Sequence, residues 1–202
     1  MKSEPGIDEE TATAYHEAGH AYAAVALHLG LSRVSIEPGD ESQGRTHARA
    51  LPRNWEERII EASYSGPGGF DMEGRMRRWI ERQVAFTLAG PVAEMHATGA
   101  DHTEVGAGVT RLTPEQAEAL SARTGGPVTA MITGGDYRAV MDLLLAVLAG
   151  DDEEMTPWWA WLEVRTRRLI TGTYQWAQVE RIARALVERK TLTTPQVRTI
   201  LS

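Results

Sequence analysis

Residues Ala14-Tyr15-His16-Glu17-Ala18-Gly19-His20-Ala21 decide how the rest of the chain is read. Two histidines four positions apart share one face of a helix, one turn from each other. At that spacing two imidazole nitrogens reach a single zinc ion at about 2.0–2.1 Å. Glu17, one residue on, stands beside such an ion and takes a proton from a water whose pKa the metal lowers to roughly 7. One short helical segment thus offers two ligands, His16 and His20, and a general base. Gly19 costs about 1 kcal/mol relative to alanine inside a helix, which predicts close approach by another element at that point.

Outward from the motif, Asp8 to Leu29 reads as one helix, with acidic residues at its start and Gly30 as its stop. Ser32 to Glu37 alternates apolar and polar side chains like a half-buried strand, and after the turn residues Pro38, Gly39, Asp40 and Gly44, Arg45 to Leu51 returns as a second. Helical patterns resume at Trp55 to Ser63 and at Met72 to Ala97, the latter split or kinked at Gly90-Pro91. Thr113-Pro114-Glu115-Gln116 opens a short helix within a Gly- and Thr-rich stretch. Tyr137 to Leu148 reads as a buried helix, followed by helices at Trp158 to Ile170 and Trp176 to Arg189 and a terminal one opened by Thr194-Pro195. Trp176, Val179, Ala183 and Leu186 fall on one face. The class is mainly α with one small β-hairpin after the motif helix.

Composition narrows the function. With 202 residues, 42% apolar and 24% charged, the chain is an ordinary globular sequence. A net charge of -7 argues against nucleic acid as a partner, because phosphate binding needs a basic face. Cysteine is absent, so any metal is held by nitrogen and oxygen. Residues 1–7 read as a flexible start, and the polar, acidic run Met1 to Glu10 is unlike a targeting peptide. The longest apolar stretch, Ala21 to Leu29, is too short to span a bilayer. These features predict a cytoplasmic chain with no membrane association.

The motif and several later segments resemble the peptidase domain of FtsH-type ATP-dependent zinc proteases. Ala14 to Ala21 is similar to that family's signature. Arg33-Val34-Ser35-Ile36-Glu37-Pro38-Gly39 with Gly44 looks like its strand and turn, and Leu88-Ala89-Gly90-Pro91-Val92-Ala93-Glu94 resembles its Gly-Arg-Ala-Ala-Glu-Glu helix. Thr133-Gly134-Gly135-Asp136 is similar to the segment ending in the family's aspartate ligand, and Trp176 to Glu180, Ala185 to Arg189 and Thr191-Leu192-Thr193 resemble its closing helices. Pro91 and Met95 stand where the family shows arginine and a second glutamate, and residues 99–133 read as an insertion.

The resemblance implies one helical zincin-like peptidase domain over 1–202, with zinc held by His16, His20 and Asp136 and with Glu17 as catalytic base. Glu94 is the rival third ligand, since many such enzymes take a glutamate from the next helix. The implied activity is hydrolysis of peptide bonds in unfolded or flexible polypeptides. A polypeptide substrate, a separate ATPase or unfoldase, or further copies of the chain are the implied partners. The other reading is a non-catalytic, zinc-stabilised scaffold that binds a partner. His96, Asp101 and His102 read as polar side chains facing solvent, and Trp158, Trp159 and Trp161 as packing in the core or at an interface.

Overall fold

The computed structural model describes residues 7–37, 45–48, 74–100, 135–137, 139–140, 143–144 and 152–202. The helices expected at Trp55 to Ser63 and from Thr113, and nearly all of the 99–133 insertion, lie outside these residues. The described chain is mainly helical with a small antiparallel sheet.

Helix α1 runs Glu9–Ala26. Its N-cap is Asp8, whose carboxylate accepts the Thr11 N–H at 2.8 Å and satisfies one of the first-turn donors. The helix stops short of the expected Leu29. His28 takes a left-handed backbone conformation (φ 55°), and the amides of His28 and Leu29 turn back to the carbonyls of Val25 and Ala24. This pairing is a Schellman stop, with histidine in the place where glycine is commoner. Gly30 (φ 80°) then redirects the chain into β1.

Strand β1 (Leu31–Ser35) pairs antiparallel with β2 (Arg45–Ala48), as the alternating pattern predicts, with Val34 opposite Thr46. Its other side carries β3 (Thr191–Thr193), near the far end of the chain, with Val34 opposite Leu192. The sheet order is β2-β1-β3.

Helix α2 spans Gly74–Thr98 without interruption, although Gly90-Pro91 predicts a break or bend within it. Pro91 removes one backbone bond, normally a loss of roughly 3 kcal/mol. Burial of Leu88, Ala89, Val92 and Ala93 around it offsets that loss. Helices α3 (Asp152–Thr171), α4 (Thr173–Arg189) and α5 (Thr194–Leu201) follow. Helix α3 begins well before the expected Trp158, with Pro157 near its start. The predicted apolar face of α4 holds: Val179, Ala183 and Leu186 are buried and Trp176 packs beside them. Thr193 and Gln196 form a capping box that starts α5.

Two apolar clusters result. One joins α1, the C-terminal half of α2, the sheet, α4 and α5 through Ala14, Ala18, Ala21, Val34, Ala89, Ala93, Ile182, Leu186 and Leu192. The other joins the N-terminal half of α2 to α3 through Ile80, Val84, Leu88, Trp158 and Leu162, with Val140 and Leu144. The described positions between 136 and 144 are helical, and Val140 and Leu144 are fully buried, as the apolar run there predicts. No described helix is long and apolar enough to cross a membrane.

Candidate metal centre

Helix α1 crosses α2 at Gly19. A methyl group on Gly19 would lie 2.3 Å from the Ala89 carbonyl oxygen and 2.7 Å from Ala93 Cβ, so the backbones approach too closely for any other residue. This is the close approach the glycine predicts. It presses the His16–His20 face of α1 against α2 and lets α2 orient both rings.

Each histidine is fixed from behind. His16 Nδ1 donates to Glu94 Oε2 at 2.8 Å, and His20 Nδ1 donates to the Phe86 carbonyl at 2.9 Å. Each Nδ1 is thus committed to an oxygen acceptor on α2, and each Nε2 is the nitrogen that faces forward, free to ligate once it gives up any proton it carries. The two Nε2 atoms lie 3.1 Å apart, and Asp136 Oδ2 stands 3.0 Å from His16 Nε2 and 3.1 Å from His20 Nε2. Gly135 (φ 67°) turns the chain immediately before Asp136.

His16, His20 and Asp136 therefore form a group that can hold a metal ion. Glu94, the rival ligand, meets the rear nitrogen of His16 instead of the convergence point. It has the place of the carboxylate that orients a metal-bound histidine.

The donor set fits zinc in type and spacing. Two imidazoles and a carboxylate are ordinary ligands, and the edges of a tetrahedral zinc site are roughly 3.3 Å long, close to the three separations here. Gly90 supplies an independent observation. A Cβ there would sit 2.3 Å from His20 Nε2 and 2.7 Å from His16 Nε2, so the missing side chain leaves clear the space in front of the two metal-facing nitrogens. His20 is the deepest of the three side chains at 8% exposure, whereas His16 and Asp136 keep 21% and 28%. A ligand arriving from solvent can thus meet the group.

Electrostatics bind the three residues together. Burial alone would lower the His16 pKa, but hydrogen bonds to Asp136 and Glu94 outweigh it and raise the value to about 10. Burial also works against the charged form of His20, yet the Asp136 charge raises its pKa. Desolvation would raise the Asp136 carboxyl, and the two histidines instead hold it well below the usual carboxylate range. A cation bound by these three groups would displace the protons that the histidines hold without it.

Glu17 lies on the same helix, 5% exposed, and its Oε2 accepts the hydroxyl of Thr46 at 2.6 Å. Thr46 and the Phe86 carbonyl join the site without a signal of their own in the sequence, and Gly90 joins it from the segment that resembles the family helix, in a role the sequence does not show. A Gly-Pro pair reads first as a helix breaker, and a backbone carbonyl carries no sequence signal. Of the polar cluster around Gly99, His96 is exposed, meets Trp176 edge-on at 4.4 Å and is not among the three grouped donors, while Asp101 and His102 lie outside the described residues.

No protein-family model matches the chain, and no curated protein matches it in sequence. The chemistry of the site therefore rests on its own residues.

Proposed function

We propose that the chain is a zinc-dependent metallopeptidase acting on unfolded or flexible polypeptides. The observation that carries this reading is the convergence of His16 Nε2, His20 Nε2 and Asp136 Oδ2 in front of the empty side-chain position of Gly90, with a buried carboxylate one residue from His16. The sequence resemblance to FtsH-type peptidase domains supports the same assignment.

His16, His20 and Asp136 would hold the zinc, which when bound would supply Lewis acidity for the scissile carbonyl and lower the pKa of a water toward neutrality. The protein does the rest. Glu94 and Phe86 hold the imidazoles in the ligating tautomer. Glu17 takes the proton of the attacking water and passes it to the leaving amide nitrogen, so its carboxylate serves as base and then as acid. Thr46 donates to Oε2, which leaves Oε1 without that contact and open to the proton. Strand β2 is at the margin of the sheet among the described residues, and an extended peptide pairing with it would lie beside Glu17. That mode of binding calls for extended backbone, hence flexible substrates. A separate unfoldase, or assembly of several copies, would widen the range to folded proteins.

The test combines metal analysis with cleavage of fluorescein-labelled casein. The purified chain is expected to contain close to one zinc per molecule and to lose cleavage on chelation. Glu17→Gln should retain the zinc and lose cleavage by about 10²–10⁴-fold. Cleavage by Glu17→Gln at the wild-type rate would refute the mechanism. A zinc-loaded wild type that cleaves neither casein nor a peptide library would favour the partner-binding scaffold, with the metal contributing folding free energy instead.

A further inference from the structure

We propose that Thr46 is a positioning residue for Glu17: its hydroxyl holds the carboxylate in the orientation that proton transfer requires. The inference rests on the reading of Glu17 as the general base.

The contact has the form of a charge-assisted hydrogen bond. Thr46 Oγ1 lies 2.6 Å from Glu17 Oε2, within the 2.5–2.7 Å range of a hydroxyl donating to a carboxylate. The same oxygen is 3.3 Å from the Glu17 carbonyl, but a hydroxyl has one proton, and the shorter contact to the charged acceptor takes it. Glu17 is 5% exposed, so its charge depends on protein donors more than on water. A glutamate side chain has several rotatable bonds, and one fixed oxygen removes most of that freedom.

The donor itself is rigid. Thr46 pairs with Val34, Val34 pairs on its other side with Leu192, and both Val34 and Leu192 are fully buried. The three-stranded ladder therefore sets where the Thr46 backbone stands relative to α1. Branching at Cβ stiffens χ1, so the hydroxyl direction follows from the backbone. The hydroxyl adds nothing to the ladder, whose bonds are main-chain. Its partner is the one charged side chain between the two histidines. This accounts for a polar residue at a sheet position opposite a buried valine.

The test compares Thr46→Val, which keeps the shape and removes the donor, with Thr46→Ser, which keeps the donor and removes the methyl group. With a quenched fluorogenic peptide cleaved by the wild type, Thr46→Val is expected to lower kcat roughly 10- to 100-fold with KM and bound zinc unchanged. Thr46→Ser should recover activity to within about threefold of wild type, because the charge-assisted bond is remade. Thr46→Ala replaces the valine variant if that variant does not fold. Wild-type kcat in the valine or alanine variant overturns the proposal, as does a loss that serine fails to restore. If the wild type cleaves no peptide, crystal structures of the metal-free wild type and Thr46→Val decide the matter separately. A Glu17 carboxylate that leaves its place supports the positioning role, and one that stays put overturns it.

Discussion

Helix α2 packs in two different ways along its length. Its N-terminal half meets α3 through large side chains, Ile80, Val84 and Leu88 against Trp158 and Leu162. Its C-terminal half meets α1 through small residues: Gly19 lies against Ala89 and Ala93, Gly90 faces the His16 and His20 rings, and Ala14 and Ala18 belong to the same cluster. Large interdigitated side chains supply burial and hence stability. Small residues contribute little area, but they bring two backbones together and fix the distance between side chains at the margin of the crossing. The candidate metal group sits on the second kind of contact. The difference points to a division of labour: the bulky end holds the molecule folded and the small-residue end sets the geometry of the site.

Gly90→Ala should break the small-residue end most severely. The new methyl group would fall 2.3 Å from His20 Nε2, so metal and side chain compete for the same space. Zinc content measured by plasma mass spectrometry is expected to drop to near zero, while circular dichroism keeps its helical form. Full zinc occupancy in this variant would show that the donors converge elsewhere.

Leu162→Ala probes the bulky end. Leu162 is 1% exposed, and truncating such a residue costs about 2–5 kcal/mol. The urea midpoint should fall accordingly, with zinc stoichiometry per folded molecule unchanged. Loss of zinc in parallel with stability would mean that the two ends do not work separately.

Gly19→Ala has two opposed effects. Helix propensity favours alanine by about 1 kcal/mol, but its methyl group would meet the Ala89 carbonyl oxygen at 2.3 Å and force the backbones apart, a cost of roughly 1–3 kcal/mol. The net is a loss of up to about 2 kcal/mol, and zinc affinity should weaken as the histidine face lifts from Glu94 and Phe86. Titration with a competing chromophoric chelator would measure that affinity, and an unchanged value would separate the crossing distance from the site.

This contrast also explains what the sequence could reveal. The motif helix, the face of α4 and the α5 cap are legible because each rests on spacing within one segment: four residues for His16 and His20, three and four for Val179, Ala183 and Leu186, three for Thr193 and Gln196. The close approach at Gly19 is legible because a helical glycine needs a reason. Strand β3 is not, since three residues are too few for an alternating pattern and its pairing depends on a strand more than 150 positions away. Pro91 reads as a break because local propensity knows nothing of the packing that carries α2 through it. Thr46 and Gly90 matter only once two distant segments meet.

The smallest expected effect is a pH slope, and it distinguishes the two ends by chemistry. In the metal-free protein the His16 pKa stands at about 10 against an ordinary 6.5. A pKa raised by folding contributes stability that is fully present below 6.5 and is lost as pH rises through about 10. Asp136 has the opposite sign: its lowered pKa contributes stability present above its ordinary 3.8 and lost as pH falls below that value. The ion cluster thus holds the apo protein best between roughly pH 4 and pH 6.5. With chelator present, calorimetry should show Tm declining by about 2–4 °C from pH 6.5 to pH 10 if a net 1 kcal/mol is lost. If the proposed zinc assignment holds, added zinc should reverse the trend, because it needs neutral imidazoles and would bind more tightly as protons leave. The bulky end has no comparable group among the described residues. Tyr137 beside it is pushed up to about 12 by burial and stays neutral throughout this range. Leu162→Ala should therefore lower the whole apo curve and leave its slope unchanged, whereas Asp136→Asn should flatten it. An apo slope as steep in Asp136→Asn as in the wild type would show that Asp136 does not set it.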